Sequence, residues 1–125
     1  MLRAAICDDE SVILSMMKSS IEKTFLQEKF DCSIQAFSSG EELLKIHKDQ
    51  PYDVLFLDIY MTGYSGFDVA KTVGKLTPNT LLIFVTSQDS MVYNSLDYRP
   101  FQFVRKNRIQ TDNSELVTVT RKLIK

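Results

Sequence analysis

No apolar stretch in this chain comes near the roughly 20 residues that a membrane-spanning helix needs, which removes that architecture from consideration. The N-terminus carries no basic segment followed by an apolar core and a small-residue cleavage site, so nothing there reads as a secretory leader. Cysteine is scarce. The 2 thiols, Cys7 and Cys32, stand at no CxxC or Cys/His spacing, which argues against a disulfide framework or a zinc site and for a cytoplasmic protein with reduced thiols. Net charge is missing too: 15 basic residues against 16 acidic ones leave −1, without the electrostatic footprint of a nucleic-acid-binding domain. Repeats, low-complexity tracts and internal linkers are also absent. What remains is a chain of 125 residues, 44% hydrophobic, sized for one domain over residues 1–125 with one ordinary core.

Short apolar runs recur along it: Leu2 to Cys7, Cys32 to Phe37, Val54 to Leu57, Leu81 to Val85 and Phe101 to Val104. Helical patterns lie between them, and that alternation predicts βα units around a parallel sheet. The run Leu81-Leu82-Ile83-Phe84-Val85 is apolar throughout, as a central strand covered on both faces requires. Ile13, Met17, Ile21 and Phe25 recur at helical spacing after the first run. Ser39 and Glu42 have capping-box spacing ahead of Leu43, Leu44 and Ile46, and Pro51 ends that second helix. A third helical pattern follows Gly66, a weaker fourth spans Ser90 to Leu96 before Pro100, and a last one lies within Asp112 to Lys125 with Leu116, Val119 or Thr120, and Leu123 on one face.

Asp8 and Asp9 close the first apolar run, and Asp58 closes the third. If those runs are neighbouring parallel strands, the acids meet at the carboxyl edge of the sheet, where open α/β folds bind their ligands. Like charges a few ångströms apart repel and raise one another's pKa, so such a cluster implies a shared hard cation such as Mg2+. Taken singly, each aspartate is explained as a strand-end turn or helix-cap residue.

Cys7-Asp8-Asp9-Glu10 after the first run, Leu57-Asp58 at the third, Thr86-Ser87 at the fourth and Lys106 past the fifth form one pattern. With these four matches the chain resembles the receiver domain of two-component response regulators, from about Arg3 to its C-terminus. The resemblance implies an α/β, flavodoxin-like, doubly wound five-stranded parallel sheet of order 2-1-3-4-5 with five flanking helices. It also implies residue roles. Asp58 would be the phosphoacceptor, taking a phosphoryl group from a sensor histidine kinase. Asp8, Asp9 and Asp58, with the backbone carbonyl of Tyr60, would hold Mg2+. Lys106 and Thr86 would contact the phosphoryl oxygens, with Arg105 a rival to Lys106, and Phe103 would be the switch aromatic beside Thr86.

Two residues depart from the family pattern. Asn107 stands where proline usually follows the lysine, and Thr62 stands where proline commonly follows the phosphorylated strand. The segment Tyr93 to Lys106 looks like that of receivers joined to LytTR-type DNA-binding domains. Its aromatics Tyr93, Tyr98 and Phe101 either cover the core or form a contact face. The resulting expectation is a Mg2+-dependent switch rather than an enzyme. Its phosphorylation would alter the face of the fourth helix, fifth strand and fifth helix and promote a homodimer. A C-terminal output domain, acting in transcription, would be absent or removed. The alternative is a degenerate receiver working as a phosphorylation-independent interaction module; a dehalogenase-like phosphatase ranks lower, because Tyr60 occupies the position of its second acid. Glu10 reads as a helix-dipole partner, both cysteines as inert thiols, and His47 as an exposed, inert side chain in a Lys-rich stretch.

Overall fold

The computed structural model describes residues 1–61, 63–86, 102–105 and 115–124. Five strands, β1 (Leu2–Cys7), β2 (Cys32–Phe37), β3 (Val54–Asp58), β4 (Leu81–Thr86) and β5 (Gln102–Arg105), form one sheet of order β2-β1-β3-β4-β5. Every neighbouring pair is parallel. Three helices, α1 (Ser11–Gln27), α2 (Gly40–Asp49) and α3 (Gly66–Leu76), connect the first four strands, and a last helix covers Glu115–Ile124. The doubly wound parallel fold expected from the sequence is therefore present. The helix expected around Ser90 to Leu96 lies outside the described residues, as do Thr62, Ser87, Tyr93, Tyr98, Pro100, Phe101, Lys106 and Asn107.

The period of two along each strand divides the core into two layers. Ala4, Ile6, Val54, Phe56, Ile83 and Val85 pack with Met17, Ile21 and Phe25 of α1 and with Leu116 and Val119 of the last helix. The alternate residues Ala5, Cys7, Leu55, Leu57, Leu82 and Phe84 pack with Leu43 of α2 and with Val69, Ala70 and Val73 of α3. All of β3 is buried, which is why its sequence is apolar on both faces up to the acid that ends it.

The helix ends follow from local chemistry. Ser39 caps α2, its hydroxyl accepting the Glu42 N–H at 3.2 Å. At α3 the capping box is complete: the Ser65 hydroxyl accepts the Asp68 N–H at 3.2 Å, and the Asp68 carboxylate accepts the Ser65 N–H at 3.0 Å. α1 ends in a Schellman motif. Phe30 N–H reaches Phe25 O at 2.9 Å, Lys29 N–H reaches Leu26 O at 3.1 Å, and the rings of Phe25 and Phe30 pack 5.7 Å apart. Lys29 holds the left-handed position with φ 54°, where glycine is the usual residue.

His47 corrects the sequence reading. It is wholly buried rather than exposed, on the inner face of α2 with Gly40 and Leu43. Its Nδ1 accepts the Tyr52 backbone N–H at 3.1 Å, its Nε2 lies 2.7 Å from Thr77 Oγ1, and its ring stacks on Tyr52 at 5.9 Å. Across the Tyr52 ring stands the Arg3 guanidinium, 4.7 Å from the centroid and bonded to the carbonyls of Gln50 and Pro51. The Tyr52 hydroxyl donates to Gln35. These contacts tie the α2–β3 turn to β1, β2 and the end of α3, at the amino edge of the sheet.

Candidate functional site

The β1–β3 register pairs Cys7 with Leu57, so the next residues along these parallel strands, Asp8 and Asp58, emerge side by side at the carboxyl edge. Asp8 is wholly buried, Asp58 is 3% exposed, and Asp9 is open to solvent. Asp8 is held from both sides. Its N–H donates to Phe37 O at 3.1 Å, and its Oδ1 accepts the Glu10 N–H at 2.9 Å in a turn that leads directly into α1. Glu10 occupies the N-cap position, in keeping with a place at the positive end of α1, but its side chain makes no capping bond. Instead its carboxylate joins those of Asp8 and Asp9, with oxygens of all three within 4.8 Å of one another.

The loop from β3 to α3 forms the other wall. Asp9, Tyr60, Met61 and Ser65 line a cavity of about 330 Å³. Gly66 N–H donates to Ile59 O at 2.9 Å, folding the loop back on the strand it has just left. A Cβ at Gly66 would sit 2.2 Å from the Asp58 carbonyl oxygen, so only glycine allows α3 to start this close to the acid. Neither Gly66 nor the Ser65–Asp68 box figured among the expected site residues, although Ser-x-x-Asp ahead of an apolar pattern is visible in the chain.

Cys7 registers the field of the site. Its thiol is pushed up to about 12 by burial first, then by the charges of Asp8, Asp58, Asp9 and Glu42. Those acids follow β1, stand in the first turn of α2 and end β3. Cys7 Sγ lies 3.4 Å from Met61 Sδ, a contact the sequence did not announce. Cys32 pairs with Leu2 at the far end of the register, five residues from the position opposite Cys7, so the thiols are separated by about 16 Å at the usual rise per residue. They cannot form a disulfide with each other.

The remaining expected site residues are placed through the backbone. Val85 pairs with Asp58, and Thr86 follows it as the last residue of β4, opposite Arg105. Phe103 pairs with Phe84. The side chains of Thr86, Phe103 and Arg105, and all of Lys106, lie outside the described residues. Among the described residues, no helix is long and apolar enough to cross a membrane.

In sequence and in fold this chain is similar to known proteins. Residues 4–120 match the family model described as the response regulator receiver domain. The sensory transduction protein LytT of Bacillus subtilis (strain 168) is 25% identical over 128 residues, covering 99% of this chain and 52% of that protein. The transcriptional regulatory protein BtsR of Escherichia coli (strain K12) is 31% identical over 110 residues, covering 85% of this chain and 42% of that one. This chain thus spans about half the length, or less, of these relatives. Among solved structures, the response regulator TrrA of Thermotoga maritima in complex with Mg(2+)-BeF superposes with a TM-score of 0.77 at 26% identity, covering 100% of both chains. A DNA-binding response regulator of the LuxR family from Staphylococcus aureus shares the fold with a TM-score of 0.81 at 22% identity, again over 100% of each chain. On its residues, its fold and these likenesses, the chain belongs to the response regulator receiver domain family.

Proposed function

We propose that this receiver is a phosphorylation-controlled switch in which Asp58 accepts a phosphoryl group from the phosphohistidine of a sensor histidine kinase. The observation that carries this reading is the pairing of Cys7 with Leu57, which sets a nearly buried Asp58 beside Asp8. In the transfer, a carboxylate oxygen of Asp58 attacks phosphorus, an O–P bond forms as the N–P bond breaks, and the imidazole leaves with its electron pair.

The donor set suits a hard divalent cation: the carboxylates of Asp8, Asp9 and Glu10 lie together, and the Asp58 carboxylate and the Tyr60 carbonyl would add oxygen ligands. Mg2+ bound there would neutralise charge on the transferring phosphoryl group. The TrrA likeness, whose structure contains Mg(2+)-BeF, supports this assignment. Asp8 is fixed by its turn, so its part is to hold position. Gly66 lets α3 start against the Asp58 carbonyl, and the part of Asp58, at the end of β3, is to offer its carboxylate as the nucleophile. Thr86 and Lys106 are the proposed phosphate sensors, and Phe103 the residue that relays Thr86's state.

The switch assists only its own phosphorylation and dephosphorylation and turns over no external metabolite, in the cytoplasm. Phosphorylation favours a homodimer and controls an output; that the output lies in transcription is supported by the name of the transcriptional regulatory protein BtsR. The energy for switching comes from contacts that differ between the two states of the phosphate-sensing face. Intact-mass measurement after incubation with acetyl phosphate, with Mg2+ and with a chelator, tests the reading. A gain of one phosphate that requires the cation is expected; no gain by folded, cation-loaded protein would favour a phosphorylation-independent interaction module.

A further inference from the structure

Met61 has a position that phosphoryl transfer does not require. One flank of its side chain packs on the core layer that holds Cys7, Leu57 and Ile59, while the other lines the cavity shared with Asp9, Tyr60 and Ser65. Its sulfur accepts a weak hydrogen bond from the Cys7 thiol at 3.4 Å, a contact that pins the β3–α3 loop to the end of β1. The two sulfurs differ in access: Cys7 is wholly enclosed, whereas Met61 is part-exposed at the cavity wall. A thioether also needs no deprotonation to react with an electrophilic oxygen, unlike a thiol.

We propose that Met61 is a site of reversible oxidation by hydroperoxides, placed so that adding an oxygen to its sulfur loosens the acidic pocket. The Met61 sulfur attacks the peroxide, the O–O bond breaks, an S–O bond forms, and water or an alcohol leaves. Sulfur gives up two electrons, which reduce the peroxide. A dithiol reductant reverses the step, carrying the oxygen away as water and becoming a disulfide.

The product is polar, and its oxygen is poorly accommodated against the apolar core layer. It turns toward the cavity, the Cys7 contact is lost, and the loop carrying Tyr60 is released from β1. The link to cation affinity rests on the cation-pocket reading above; the site of modification does not.

The test treats the whole chain with hydrogen peroxide, maps oxygen gain by peptide mass, and titrates Mg2+ by tyrosine fluorescence before and after. Met61 should oxidise at least about tenfold faster than Met17, which is wholly buried, since access governs the rate. Oxidised protein should lose several-fold in Mg2+ affinity, recover it after treatment with methionine sulfoxide reductase, and show no such loss as the Met61→Leu variant. Oxidation of Met61 no faster than that of Met17, or an equal loss in Met61→Leu, would overturn the proposal. Absence of Mg2+ binding by the unoxidised protein would overturn the cation pocket and the coupling with it, while the oxidation rates still decide the modification site.

Discussion

Tyr52 donates its backbone N–H to Nδ1 of His47 across 3.1 Å, and this one bond fixes the state of the chain's only histidine. With Nδ1 accepting, the proton of the neutral ring sits on Nε2 and points at Thr77 Oγ1, 2.7 Å away. Thr77 can accept it while donating to Val73 O, and the single Thr80 hydroxyl proton is shared between Thr77 Oγ1 and Tyr52 O as alternative acceptors. The buried Tyr52 N–H depends on that imidazole, and the half-buried Thr77 hydroxyl shares it with other partners.

Acid should therefore weaken the fold through His47. Its pKa is lowered from the ordinary 6.5 by burial first and by the charge of Arg3 second. The unfolded chain then binds the proton more readily than the folded one, so the contribution is complete above about pH 6.5 and is lost as pH falls from there through the folded-state pKa. Urea unfolding at pH 7.5 and pH 5.5 should show this loss in the wild type. The variant His47→Leu should be less stable at pH 7.5 by about 1–3 kcal/mol, from the Tyr52 N–H left without a bond, and should show a smaller acid-dependent loss. An unchanged pH slope in the variant would assign the acid sensitivity to other groups.

Two glycines in the same helix should respond oppositely to alanine. At Gly66 the new Cβ meets the Asp58 carbonyl oxygen at 2.2 Å and Ile59 Cα at 3.0 Å, both backbone, so Gly66→Ala should cost about 1–3 kcal/mol and depress phosphorylation of Asp58. At exposed Gly74 nothing lies within 4 Å, and Gly74→Ala should gain about 0.5–1 kcal/mol with phosphorylation unchanged. Thermal unfolding and intact mass read both effects.

Lys29 is the position where a glycine should help. Its left-handed backbone carries a steric cost that glycine avoids, while the bonds of the Schellman motif use only main-chain groups. Lys29→Gly should raise stability by up to about 1 kcal/mol in denaturant titration, the cost of a left-handed non-glycine residue less some chain entropy.

Neither cysteine should react readily in the native state. Burial raises the Cys32 thiol to about 11, with help from Asp53 and Glu22, and Cys7 stands higher still at about 12. Iodoacetamide at neutral pH should label half-buried Cys32 slowly, Cys7 only on unfolding, and oxidation should yield no intramolecular disulfide. Native labelling of Cys7 ahead of Cys32 would contradict the burial pattern.

Much of this molecule is written locally in the chain. The apolar runs mark β1 to β4 to within a residue, most sharply in β3 and β4, where a parallel strand covered on both faces can tolerate few polar side chains. Asp8, Asp9 and Asp58 are legible for the complementary reason, since each interrupts such a run where the sheet ends. The role of His47 is not written locally, because its partners Tyr52 and Thr77 lie outside its helix and ligand spacing does not encode hydrogen bonds made across the fold. The signal was nevertheless present: Gly40, Leu43 and His47 follow helical spacing on one face, while Ile46, counted among the apolar residues of that helix, is 41% exposed. The Cys7–Met61 contact and the approach of Gly66 to Asp58 depend on the path of the β3–α3 loop, which no periodicity encodes.

Phosphoryl acceptance by Asp58 is the central property of the proposed switch. Wild-type protein and Asp58→Asn should be incubated with acetyl phosphate and Mg2+, weighed intact, and the phosphorylated residue located by reductive trapping and peptide mapping. Wild type is expected to gain one phosphate at Asp58, while Asp58→Asn, close in size and polarity, stays folded by circular dichroism and gains none. A phosphate located elsewhere, or an equal gain by the variant, would contradict the assignment of this edge-of-sheet aspartate as the acceptor.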